Sequence, residues 1–209
     1  DVRGRGLSSA DPGLDYSLDA QAADVLALAQ ALGLKRYALM GHSMGGRIAV
    51  RAARSHPAGL TRLVIVDPPV SGPGRRPYPA KLAWYVDSIR QATHGMDAEA
   101  MCAFCPTWTE EQRRLRAQWL HTCHEPAIVR SFEDFGRDDI HADLPHVRVP
   151  QLLMTAENGG VVGDEDVAEW QGLAPDTLHR RVPAAGHMIP WDNEAGFHEA
   201  LGDFLEPRG

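Results

Sequence analysis

The chain has 209 residues, of which 44% are hydrophobic and 23% charged, the values of an ordinary globular protein rather than a disordered or fibrous one. Its 28 acidic residues outnumber its 21 basic ones, for a formal net charge of -7, so no overall positive field draws it to nucleic acid or an anionic membrane. No apolar run approaches the roughly 20 residues that span a bilayer, and three cysteines (Cys102, Cys105 and Cys123) cannot all pair within the chain, which suits a reducing, cytoplasmic setting.

Asp1 to Ser9 reads as a loop leaving a strand that should precede it. From Tyr16 to Leu32, apolar residues at 18, 22, 25, 26, 29 and 32 recur at helical spacing, and Gly33 supplies a stop. Tyr37-Ala38-Leu39-Met40 predicts a strand, and Ile48, Ala49, Val50, Ala52 and Ala53 predict a helix ending near His56-Pro57. Between them stands Gly41-His42-Ser43-Met44-Gly45. Strand, tight turn and helix form the context that makes G-x-S-x-G a nucleophile elbow. Such a turn strains the serine backbone, and Gly41 and Gly45 are expected to leave room where a Cβ would clash. Ser43 should then project over a helix N-terminus, whose N–H groups favour developing negative charge.

Leu63-Val64-Ile65-Val66 predicts a buried strand running into Asp67-Pro68-Pro69, where two prolines end the ladder. From Val70 to Pro145 the alternation stops, and the segment becomes helical, aromatic and rich in Arg and His. It is read as a helical cap, 70–145, inserted into a core made of 1–69 and 146–209. The alternation resumes with a strand at Gln151-Leu152-Leu153-Met154-Thr155, a helix near Glu165 to Leu173 and a strand from Thr177 to Val182. A loop, Ala184-Ala185-Gly186-His187, and a helix near Asn193 to Leu205 close the chain. The pattern predicts an α/β fold with a mostly parallel sheet flanked by helices.

A serine hydroxyl is a poor nucleophile near neutral pH, so a base must take its proton as the bond forms. Histidine suits that role because it can accept the proton and return it near pH 7. The chain has 10 histidines, and most are read as solvated surface groups. His42 is expected to face away from the reacting side of the elbow.

This layout resembles the α/β-hydrolase superfamily over nearly the whole chain. Asp1 to Ser9 is similar to that family's D-x-R-G-x-G-x-S loop, and Gly186-His187 to its histidine loop. The resemblance implies that His187 is the base. It also implies that about fifty to sixty residues of the usual fold, including strands and one oxyanion donor, would precede Asp1. Met44 N–H, just after the nucleophile, is the second donor that the resemblance implies. The family usually carries its acid in a G-x-x-D pattern after a later strand. Here that stretch reads Ala156-Glu157-Asn158-Gly159-Gly160, with glycine at the acid position. Asp67, at the end of the preceding strand, is the substitute, with Glu157, Asp164 and Asp166 as alternatives.

Within the superfamily, the elbow, Asp67-Pro68-Pro69 and Gly186-His187-Met188-Ile189-Pro190-Trp191-Asp192 are most similar to the N-formylmaleamate deformylase family of nicotinate breakdown. That resemblance implies hydrolysis of a small formyl amide through a formyl-enzyme, with no cofactor and no metal. The substrate would carry a carboxylate, for which Arg47, Arg75, Arg76 and Arg90 are candidates, with Trp84 and Tyr85 lining its entry. A carboxylesterase, a carbon–carbon bond hydrolase of the same fold, and a non-catalytic ligand receptor stay open as alternatives. Cys102, Cys105, His121, Cys123 and His124 have spacings that could hold zinc, and are read instead as helix packing.

Overall fold

The computed structural model describes residues 1–206. Its organising feature is a pair of strands, β2 (Leu60–Val66) and β3 (Gln151–Ala156), whose inner residues are almost all apolar. With β1 (Tyr37–His42) and β4 (Leu178–Val182) they form a four-stranded parallel sheet in the order β1-β2-β3-β4. Successive side chains of a strand point to opposite faces, so continuous hydrophobic runs fit a sheet covered on both sides. Leu63, Ile65 and Leu153 turn to one face, packing with Ile48 and Ala49 of α2 (Met44–Ala53) and with Val167 and Trp170 of α7 (Asp164–Leu173). Helix α1 (Leu18–Ala31) adds Leu18 and Ala22 to that same core. Val64, Val66, Leu152 and Met154 turn to the other face, where they meet Ile189 of α8 (Ile189–Asp192) and Ala200 of α9 (Glu194–Leu201).

The described residues divide into two compact units. One holds the sheet, α1, α2, α7, α8 and α9, and comprises residues 18–79 with those from 135 onward. The other joins residues 1–17 to 80–134, with α3 (Leu82–Thr93), α4 (Ala98–Met101), α5 (Glu110–Leu120) and most of α6 (Glu125–Arg137). Its core is Ile89, Ala92, Met101, Cys105, Ala117 and Leu120. A capping box, Thr109 with Gln112, fixes the start of α5.

The boundaries differ from the sequence expectation of a cap at 70–145. Residues 1–17 belong with the helices because the polar backbone of their loop is satisfied there. Gly4 carbonyl accepts from His124 N–H at 2.8 Å, Gly6 N–H donates to Thr122 Oγ1 at 3.1 Å, and Arg5 donates to Ser131 Oγ at 3.0 Å. Residues 70–79 and 135–145 belong with the sheet because Val70, Ile140 and Leu144 are buried in its core. The last helix also ends earlier than the periodicity suggests. Gly202 takes φ 49 and breaks α9, which lets Phe204 fold back onto the sheet. Among the described residues no helix is long and apolar enough to cross a membrane.

Candidate active site

Parallel strands deliver their following loops to one edge of the sheet, so β1, β2, β3 and β4 all open toward the same side. Ser43 follows β1 directly, at φ 54 and ψ -121, and its N–H donates to Val66 carbonyl at 2.8 Å. An added Cβ at Gly41 would lie 2.0 Å from Gly45 carbonyl oxygen, so only glycine fits there. Gly45 is different, since a Cβ there meets nothing within 4 Å. The second tight position is Gly46, where a Cβ would sit 3.0 Å from Ile65 Cγ2 and 3.2 Å from Pro68 Cβ. Space, then, requires glycine at 41 and presses at 46, and does not require it at 45.

Asp67 ends β2 at φ 43, with its N–H donating to Met154 carbonyl at 2.8 Å. Its side chain is buried, and Oδ2 stands 2.6 Å from His187 Nδ1. Oδ1 accepts a longer bond from Ala156 N–H at 3.4 Å. Gly159, at the family's usual acid position, leaves the space this carboxylate needs. A Cβ there would lie 2.7 Å from Ala156 Cβ and 3.2 Å from Asp67 Oδ2.

His187 sits in the loop between β4 and α8. Asn158 N–H donates to Ala185 carbonyl at 2.9 Å, and Ala184 N–H donates to Glu157 Oε2 at 2.8 Å. Glu157 is therefore engaged in shaping the loop. Asp164 pairs with Arg181, and Asp166 with Arg76 and Gly163 N–H, so the three alternative acids are all used elsewhere. His187 Nε2 lies 2.9 Å from Ser43 Oγ. An ionised carboxylate only accepts, so Nδ1 carries the proton it donates to Asp67, and Nε2 is left to accept from the serine hydroxyl. That is the tautomer a general base needs.

Of two further neighbours of His187, Tyr78 escaped the sequence reading, and His42, expected to face away from the reacting side of the elbow, turns instead toward the histidine loop. Tyr78 places its ring edge-on, 6.5 Å from the imidazole, and packs 4.9 Å from Phe135. No periodicity singles it out within a Pro- and Gly-rich stretch. His42 turns toward the histidine loop, its Nε2 lying 2.7 Å from His187 carbonyl oxygen. Burial pulls the pKa of His42 below the usual imidazole value, against the bond to His187 backbone and the charges of Asp67 and Asp192. Its place at the end of β1, beside Ser43, brings it to the loop edge that His187 shares.

A family model described as the alpha/beta hydrolase fold matches residues 1–194. The chain belongs to the α/β-hydrolase family. This α/β hydrolase is 63% identical to N-formylmaleamate deformylase of Pseudomonas putida over 99% of its own length and 77% of that relative's. A crystal structure of N-formylmaleamic acid deformylase from Pseudomonas putida S16 superposes with a TM-score of 0.92 at 53% identity, covering 97% of this chain and 79% of that one. E-2-(acetamidomethylene)succinate hydrolase shares the fold, with a TM-score of 0.76 at 23% identity over 99% of this chain and 80% of its own.

The residues expected to hold a substrate carboxylate are placed otherwise engaged. Arg47 is 1% exposed and donates to the carbonyls of Pro69 (2.8 Å), Ser71 (2.8 Å) and Asp138 (2.7 Å), with its guanidinium 5.6 Å over the Phe135 ring. It ties α2 to the segment after Asp67. Arg75 pairs with Glu169 through both nitrogens, and that hydrogen bonding, foremost, holds Glu169 below the usual carboxylate range. Arg76 donates to Asp166 and to Val161 carbonyl. The groove lined by Arg75 and Arg76 also carries Asp164, Glu165, Asp166 and Glu169, an acidic excess that repels an anion.

In the helical unit, Arg90 pairs with Glu125, and Trp84 and Tyr85 serve its packing. Trp84 Nε1 donates to Phe104 carbonyl at 3.0 Å under the Arg116 guanidinium, and Tyr85 lies 5.9 Å from Phe132. Cys105 is buried, and burial raises the pKa of both Cys105 and Cys123, which disfavours the thiolate a metal would need. Among the described residues no group of three His, Cys, Asp or Glu side chains has the geometry to hold a metal ion.

Proposed function

We propose that the protein hydrolyses N-formylmaleamate to maleamate and formate with Ser43 as nucleophile, His187 as base and Asp67 as the orienting acid. Ser43 Oγ attacks the formyl carbon while its proton passes to His187 Nε2. The tetrahedral oxyanion is met by Met44 N–H, at the positive end of the α2 dipole. His187 then gives its proton to the departing nitrogen, the carbon–nitrogen bond breaks and maleamate leaves a formyl ester on Ser43. Water, deprotonated by His187, attacks that ester; formate departs and the proton returns to Ser43.

The observation that carries the choice of substrate is the 63% identity to a deformylase along 99% of the chain. The 2.9 and 2.6 Å contacts that align hydroxyl, imidazole and carboxylate support the mechanism. The free thiols of Cys102, Cys105 and Cys123 support a reducing compartment such as the cytoplasm. The test compares formate release from N-formylmaleamate with turnover of p-nitrophenyl acetate. The proposal predicts a kcat/KM for the formyl amide on the order of a hundredfold or more above that for the ester. Ester turnover without formate release would instead assign a carboxylesterase.

A further inference from the structure

We propose that His42 is a positioning residue for the base: its Nε2–H holds the backbone carbonyl of His187 and thereby sets the reach of the imidazole to Ser43 Oγ. This rests on the reading of Ser43 and His187 given above. His42 is the last residue of β1, in register with Val66 of β2, and it immediately precedes the nucleophile. Its side chain starts from a hydrogen-bonded strand end.

His187, by contrast, stands in a loop. Other contacts along that loop secure residues on either side of it: Asn193 Nδ2 donates to Pro183 carbonyl at 2.8 Å, Ala184 N–H bonds Glu157, Asn158 N–H bonds Ala185 carbonyl, and Met188 carbonyl accepts from Trp191 N–H at 2.8 Å and Asp192 N–H at 2.9 Å. At residue 187 the carbonyl is taken by His42, at 2.7 Å. One short bond therefore links the backbone of the base to the residue next to the nucleophile. A carbonyl cannot donate, so His42 Nε2 must carry a proton. The two imidazoles also lie 5.0 Å apart, tilted by 40°.

The chemistry explains why this donor is a histidine. His187 becomes positively charged when it takes the serine proton. A lysine or arginine at 42 could reach the same carbonyl, and its fixed charge would oppose that step. Burial favours the neutral form of His42, which donates the bond without adding a charge.

The test measures wild type, His42→Leu and His42→Gln for the rate at which a fluorophosphonate modifies Ser43, for kcat and KM of formate release, and for urea midpoint. Glutamine places a neutral N–H donor near the position of imidazole Nε2; leucine fills space without donating. A displacement of about 1 Å at a reacting group costs on the order of a hundredfold in rate. His42→Leu is therefore expected to slow labelling and kcat by about ten- to a hundredfold with KM within about threefold, and His42→Gln to recover most of that loss. Equal losses in both variants, or wild-type labelling in His42→Leu, would overturn the inference. Should His42→Leu fail to fold, His42→Asn replaces it, since its shorter amide falls short of the carbonyl, and the same contrast with His42→Gln applies. Absence of labelling at Ser43 in the wild type would instead sink the nucleophile assignment, so the two failures are distinguishable.

Discussion

At the carboxyl ends of β1 and β2, Ser43 and Asp67 occupy positive φ, 54 and 43. Each is tied by its N–H to the neighbouring strand at 2.8 Å. Ala184, in the histidine loop, has φ 51. The helical unit has no non-glycine residue in that region among the described residues, and rests on packing of Met101, Cys105, Ile89 and Leu120. Positive φ costs a non-glycine residue of order 1–3 kcal/mol and persists only where surrounding contacts overdetermine it. His56, after α2, is the fourth such residue of the sheet unit, so the strain is not confined to the strand ends. At the ends of β1 and β2, however, it sets the direction of Ser43 and Asp67, while the helical unit carries none among the described residues.

The largest effect is expected from Ser43→Ala or His187→Ala, which should lower kcat by roughly 10^4- to 10^6-fold while leaving the thermal midpoint close to wild type. A fall of less than about tenfold in formate release would remove these residues from the chemistry. Gly41→Ala should cost more than about 3 kcal/mol or abolish folding, because its Cβ meets Gly45 carbonyl oxygen at 2.0 Å. Gly45→Ala, with open space around its Cβ, should be tolerated far better, and urea titration of the pair checks the difference.

In the helical unit, Met101→Ala should cost about 2–5 kcal/mol by leaving a cavity, with kcat of the folded fraction unchanged. A large loss of kcat with stability preserved would show that this unit is more than packing.

The smallest effect is pH-dependent. Burial lowers the pKa of His42, His141 and His179 in the folded sheet unit. Unfolded chains protonate these groups near pH 6.5, so the unfolded state binds more protons below that pH. Stability should therefore fall as pH drops from about 6.5 toward the lower folded values, and be level above it. The raised thiols of Cys105 and Cys123 work in the opposite range, where stability falls as pH climbs past the unfolded thiol value. Urea midpoints between pH 5 and 7.5 should show the acid slope, and His141→Phe should reduce it.

Much of the sheet unit was legible because its signals are local. Apolar runs gave β2 and β3, and a serine between glycines in a strand-to-helix turn marked the elbow. Asp67 could be singled out as the candidate acid because the usual acid position holds Gly159; what sequence did not reveal is that a side chain at 159 would crowd that very carboxylate. Arg47 shows the limit. Four residues past Ser43, it suggested a substrate contact or a solvated charge, yet it is buried against carbonyls of residues 69, 71 and 138. No local pattern foretells acceptors so far along the chain. The grouping of residues 1–17 with the helices was hidden for the same reason, since Gly4, Arg5 and Gly6 find their partners more than a hundred residues away.

The role of the carboxylate is decided by kcat for formate release by Asp67→Asn, taken alongside its urea midpoint. An asparagine preserves the shape of the acid and cannot hold His187 in the tautomer that accepts the serine proton, so kcat should fall by about 10^4-fold in a folded protein. A folded Asp67→Asn enzyme working within about tenfold of wild type would show that the carboxylate 2.6 Å from His187 has no part in the reaction.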